Sequence, residues 1–212
     1  MRWFTSETPK TPVAEPQQLD QVSGVHTSLA LNVLYHRLLP GEKHHILDLG
    51  PPLKANIDFF SQFPCRLYIE DLYSTLSSFD YLSPEDGFSH EAVFEYLLPF
   101  QKNVRFDIIL SWDLVNYLER DESSQLVQHL SRFCRKGSQL LVLVSTLKHI
   151  SEKPIRFRIV DSQSLDYESE SAVLKPCPRY QQTDLNQMMP HFRVANSFLL
   201  RNGFKEYIFT LD

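Results

Sequence analysis

Four short stretches of this chain hold residues whose types and spacing could do chemistry. The first is His45-Ile-Leu-Asp48-Leu-Gly50, an apolar run that closes on Asp-x-Gly and leads through Pro51 and Pro52 toward a helix-like segment. A nucleotide-binding βα unit begins this way. The acid organises the loop or meets the ligand, and glycine lets the backbone come close. The second is Glu70-Asp71, about 20 residues after that glycine, at the end of another apolar run. Acids at this separation bind ribose hydroxyls in dinucleotide folds. Strand alternation sends one of the two into a cleft and the other away.

The third stretch is Ser111-Trp112-Asp113, at the carboxyl end of a strongly apolar segment and so beside the crevice where open α/β sheets take ligands. Trp112 offers a ring to flank an adenine or a substrate, or a half-buried packing surface. Asp113 and Asn116 are one helical turn apart and can orient a nucleophile or an amine; Tyr117 can donate a hydrogen bond or simply be buried. The fourth is Lys54, near a helix start, where a cation is unfavourable unless an anion is close. A solvated surface lysine is the plainer reading of it.

Other reactive residue types carry less. His44 and His45 are adjacent, so on a strand they point to opposite faces and do not chelate; no metal site is expected. His26, His149 and His191 stand alone. Cys65, Cys134 and Cys177 form no CxxC pair and read as free thiols. Cys134 has basic neighbours in Arg132, Arg135 and Lys136 but no companion base. Arg156, Arg158 and Arg179 fit a charged hairpin face, or contacts to an acidic substrate.

The elements that must position these residues follow from periodicity. Residues 22–39 have helical spacing, 45–49 read as a buried strand, and 55–63 as a helix stopped by Pro64. A strand over 66–72, a turn-rich segment over 80–87, and a helix over 89–98 with Ser89 as cap come next. Residues 106–111 are apolar throughout, as a parallel strand buried on both faces requires. A helix over 121–135 ends at Gly137, and 139–144 form another strand. Ile155, Phe157 and Ile159 alternate with polar residues, which suggests a hairpin or cap. A short helix over 184–192 precedes two strands flanking Asn202-Gly203, the dipeptide of a tight type I′ hairpin.

With 212 residues, 42% hydrophobic and 22% charged, the chain has the size and composition of one globular α/β domain. Its formal charge of -5 argues against nucleic acid as the main partner. Residues 1–20, with Pro9, Pro12 and Pro16, read as a mobile leader. No stretch has the length of a signal peptide core or a membrane span, so no membrane association and a cytoplasmic location are expected.

In this order the motifs resemble the class I S-adenosylmethionine-dependent methyltransferases, across roughly residues 22–212. His45 to Gly50 looks like the family's first motif, and Phe106-Asp-Ile-Ile-Leu-Ser-Trp-Asp-Leu-Val-Asn-Tyr-Leu118 like its FDxVxxxDxLxYL motif. The Asn202-Gly203 hairpin matches its reversed last strand. The resemblance implies a Rossmann-like three-layer α/β sandwich over residues 21–212, with a cap or hairpin insertion at about 150–180. The sheet would be mostly parallel and end in an antiparallel C-terminal hairpin. It implies S-adenosylmethionine as cofactor, contacted by Asp48, Gly50, Glu70, Asp71, Ser111, Trp112 and Asp113, with Asp71 as the ribose acid. The acceptor would be a small molecule or a protein.

No catalytic residue is singled out, because a sulfonium leaving group needs no acid and positioning does most of the work. Two departures stand out. Pro52 and Lys54 occupy the second and third glycine positions of D-x-G-x-G-x-G, and no third strand is evident between Leu72 and Val104. They support an alternative, a non-catalytic methyltransferase-like module that binds a partner protein. A nicotinamide dehydrogenase is disfavoured, since GxGxxG is absent after the first strand.

Overall fold

A computed structural model describes residues 23–38, 41–78 and 90–212. The leader, the 80–87 turn and the Ser89 cap lie outside the described residues. A six-stranded sheet runs through the centre. Four parallel strands, β2 (His44–Asp48), β3 (Cys65–Ile69), β4 (Phe106–Leu110) and β5 (Cys134–Ser145), are continued by β10 (Phe192–Leu199) and β11 (Phe204–Leu211). The order is β10-β11-β5-β4-β2-β3, with β11 antiparallel to both of its neighbours. Among the described residues β3 is an edge strand; part of the 72–104 stretch, where no third strand is evident in the sequence, lies outside them.

Strand alternation assigns the two faces of the sheet. Leu47, Ile109, Leu140 and Val142 pack under α4 (His90–Leu97), α5 (Arg120–Ser131) and α6 (Gln182–Met188). Ile46, Ile108, Leu110, Leu141 and Leu143 pack on the other face, against α1 (Leu29–Leu38) and α2 (Lys54–Phe60). A further helix, α3 (Leu72–Ser78), follows β3 directly. The three-layer α/β sandwich and its terminal antiparallel hairpin are as the sequence implied.

Three local readings change. Helix α1 begins at Leu29, because residues 24–27 form strand β1 (Gly24–Thr27). Val25 and Thr27 are β-branched and suit a strand, and Ser28 ends it: its hydroxyl accepts the Leu31 N–H at 3.1 Å. The buried Glu206 of β11 accepts the next donor, Ala30 N–H, at 2.9 Å. Burial pushes this carboxyl's pKa up.

Gly137 does not end a helix. It lies inside β5 at φ +82°, in a bulge where the register to β4 jumps from Cys134 to Gln139. The terminal hairpin is not a two-residue type I′ turn either. Leu200 N–H donates to Phe204 O at 2.9 Å, which leaves three connecting residues that end on Gly203 at φ +85°.

Over the α1/α2 face lies a second sheet, β1-β8-β7, made of β7 (Arg156–Asp161), β8 (Ser164–Glu168) and β1. Two short strands, β6 (His149–Ser151) and β9 (Leu174–Pro176), pair beside it. Phe157, Ile159, Leu165 and Tyr167 are the buried residues of the second sheet, and Ile155, just before β7, is buried with them. One side chain ties it to the sandwich. Asn56 of α2 donates to Phe157 O at 3.0 Å and accepts Ile159 N–H at 2.8 Å, so β7 treats it as a partner strand. Asn56→Ala strands both backbone groups in a buried place, and should lower the unfolding free energy by about 1–3 kcal/mol in urea titration. An unchanged midpoint would show that this bond pair does not hold the cap.

Candidate functional site

The carboxyl ends of β2, β3, β4 and β5 are laced together past the last ladder pairs. Leu49 N–H donates to Leu110 O, Leu72 N–H to Leu49 O, Ser111 N–H to Leu141 O, and Leu143 N–H to Trp112 O. These bonds fix where the strand-end residues stand. Asp71, Gly50 and Ser111–Asp113 line a cleft of about 210 Å³, whose opposite wall is the cap, through Lys153, Ile155 and Phe157. Pockets for drug-sized ligands run to roughly 300–1,000 Å³, so this cleft is tight.

Asp48 lies beneath it, 1% exposed. One oxygen, Oδ1, takes both Gly50 N–H at 2.9 Å and Trp112 Nε1–H at 2.6 Å. Burial pushes its pKa up to about 6, and these two bonds hold it back from going further. Gly50 serves a purpose other than a left-handed turn: a Cβ there would meet Trp112 Cδ1 at 2.9 Å. The glycine makes room for the indole. Trp112 itself sits at φ +48°, 4% exposed, stacked on Phe157 with ring centroids 5.4 Å apart and planes 9° from parallel.

Asp113 is buried and accepts Ile155 N–H at 3.2 Å. Burial raises its pKa to about 7, against the pull of that bond and of the Lys175 charge. Asp71 faces the cleft and caps α3, its Oδ1 accepting Ser74 N–H at 3.2 Å. Glu70, next to it, does not line the cleft; partial burial raises its pKa. The two acids part as strand alternation requires.

Several sequence candidates go elsewhere. Lys54 is exposed and pairs with Asp58 one turn along α2. Asn116 spends its amide on Asp113 O, Leu143 O and Ser145 N–H. The Tyr117 hydroxyl donates to Lys153 O at 2.8 Å, and burial pushes its pKa up. Cys134 is buried, its pKa pushed up to about 12, the reverse of an activated thiol. His44 lies 3.8 Å from Asp107 while His45 stacks on Tyr68, so the pair diverges. Among the described residues no group of three or more His, Cys, Asp or Glu could hold a metal ion, and no helix is long and apolar enough to cross a membrane. Arg156 pairs with Glu170, and Arg158 with Glu168.

Sequence reasoning missed the cap wall and Asn56. The alternation of Ile155, Phe157 and Ile159 showed a buried face without showing where it docks. Asn56 did leave a trace: with Phe59 and Phe60 it occupies positions i, i+3 and i+4, and so stands on an apolar helix face, where a polar side chain needs a partner.

No protein-family model matches the sequence, and no curated protein matches it. Among solved structures, the PH0226 protein from Pyrococcus horikoshii OT3 superposes with a TM-score of 0.52 at 12% identity, over 95% of this chain and 94% of that one. The glycopeptide N-methyltransferase MtfA with S-adenosyl-L-methionine gives 0.49 at 10% identity, over 95% and 100%. Burkholderia thailandensis 1,6-didemethyltoxoflavin-N1-methyltransferase gives 0.47 at 14%, over 87% and 78%. Likeness at such identities concerns the fold. With its strand order and reversed β11, the chain shares with that Pyrococcus protein the fold of a Rossmann-like α/β sandwich.

Burial sets a pH dependence. The folded pKa values of Asp48 and Asp113, about 6 and about 7, lie above the ~4 of an unfolded aspartate. The folded state therefore holds the protons more tightly, and stability is lost as pH rises from about 4 through 7. The melting temperature should fall between pH 5 and pH 8, and Asp113→Asn should flatten that fall. An equal slope in the variant would remove Asp113 as its source.

Proposed function

We propose that this cleft binds S-adenosylmethionine and that the chain transfers the cofactor's methyl group to a small-molecule or protein acceptor. One observation carries the reading: Gly50, Asp71 and Ser111–Asp113, drawn from three separate parallel-strand ends, converge on one crevice, with Asp48 buried beneath it. Open α/β sheets bind their ligands there. The bound cofactor supplies an activated methyl on a sulfonium, and the chain supplies position and exclusion of water.

The residues fit the group unevenly. Asp71 is suited to a ribose: a carboxylate has about four acceptor sites, and among the described residues one oxygen is engaged, by the Ser74 N–H. At the loop end the fit fails in this conformation, because Trp112 lies on Gly50 and Asp48 is bonded to it. Lys54 also turns to Asp58 rather than into the cleft. These same contacts favour the second reading, a non-catalytic module that uses the scaffold to bind a partner protein.

Titration calorimetry separates the two. The enzyme reading expects saturable binding of S-adenosylmethionine and S-adenosylhomocysteine, weakened about tenfold or more by Asp71→Ala, the loss expected for charge-assisted hydrogen bonds. No heat at millimolar ligand would leave the non-catalytic reading.

A further inference from the structure

Trp112 touches three parts of the site at once. Its indole edge lies on Gly50, its Nε1–H is bonded to Asp48 at 2.6 Å, and its ring face is stacked on Phe157 of β7. Its backbone stands at φ +48°, a conformation that bulky residues seldom adopt and that persists only where the surroundings impose it. Part of that imposition is the 2.7 Å bond from Leu143 N–H to Trp112 O, which locks the peptide to β5. Packing alone accounts for a buried indole. It does not account for a strained backbone that aims the ring over the loop glycine and onto the loop acid.

The cap strand is held by neighbouring polar groups. Ile155 N–H is bonded to Asp113, the residue after Trp112, and Ile159 N–H and Phe157 O are bonded to Asn56, two residues into α2 from its Lys54 start. Besides its ladder to β8, β7 is thus tied at Asn56 and Asp113 to segments that border the cleft, and the indole stacks between the loop and that strand.

We propose that Trp112 is a plug. A ligand reaches Gly50 only when the indole swings off it, and that movement breaks the Asp48 bond and the Phe157 stack, so occupancy of the cleft loosens β7. This rests on the S-adenosylmethionine reading and adds a regulation to that site. A protein whose binding-competent form is a minor population has its apparent affinity lowered by that fraction, and removing the plug restores it.

Trp3→Phe leaves Trp112 as the single tryptophan of the chain. Titrating this protein with S-adenosylhomocysteine should change the Trp112 emission as the indole leaves Asp48 and Phe157. Trp112→Ala should bind at least tenfold tighter. Trp112→Phe, which keeps a ring against Phe157 but has no N–H for Asp48, guards against a misfolded alanine variant and should also bind tighter than the parent.

In the unsubstituted chain, hydrogen exchange at the Ile155 and Ile159 amides should quicken with ligand. If the ligand binds with unchanged emission, equal affinity across the variants and slower exchange at those amides, the plug is wrong and the cofactor reading stands. If neither the parent nor either folded variant binds, both are wrong.

Discussion

A carboxylate taken out of water must be given hydrogen bonds or lose its charge, and the cleft end of this molecule is organised around how Asp48 meets that demand. At 1% exposure it receives two N–H groups on one oxygen, from Gly50 in its own loop and from Trp112 at the end of the adjacent strand. The first bond sets the turn leaving β2. The second draws the β4 end over that turn, which places the indole against Gly50 and presents its face to Phe157. Through this contact the cap sheet, which is remote in sequence, becomes a wall of the cleft. A single buried acid therefore couples the first loop, the fourth strand and the insertion.

The same demand recurs around it. Asp113 is given the Ile155 N–H, Asn56 is given both polar groups of β7, and Glu206 takes the Ala30 N–H at the start of α1. Each is a buried polar side chain whose partner is backbone from another layer. Apolar faces stack these layers, but apolar packing is tolerant of sliding. The polar ties choose one arrangement, and they cluster at the carboxyl edge of the sheet, where the cleft lies.

Much of the sandwich was legible in the sequence because its signals are local. The apolar runs of β2 and β4, the helical spacing of α5 and the reversed hairpin around Asn202-Gly203 each announce an element within a dozen residues. The Asp48, Asp71 and Ser111–Asp113 ends follow once those strands are ordered. What remained hidden depends on distant pairings. Nothing near Gly24 announces that it pairs with Tyr167 of β8, so the helical spacing of residues 22–39 hides a strand at its start. Nothing in Trp112 shows that it lies over Gly50 rather than beside a ligand. The contacts that hold it come from Leu143 of β5 and Phe157 of β7, both beyond position 133.

The central claim is that the strand-end cleft is a cofactor site closed by its own tryptophan. A crystal structure of the full chain grown with S-adenosylhomocysteine tests it most directly. The account predicts ligand density between Gly50 and Asp71, with the ribose on Asp71 and the indole of Trp112 turned off Gly50. Trp112 still bonded to Asp48 over Gly50, with no ligand in the cleft at saturating concentration, would contradict it.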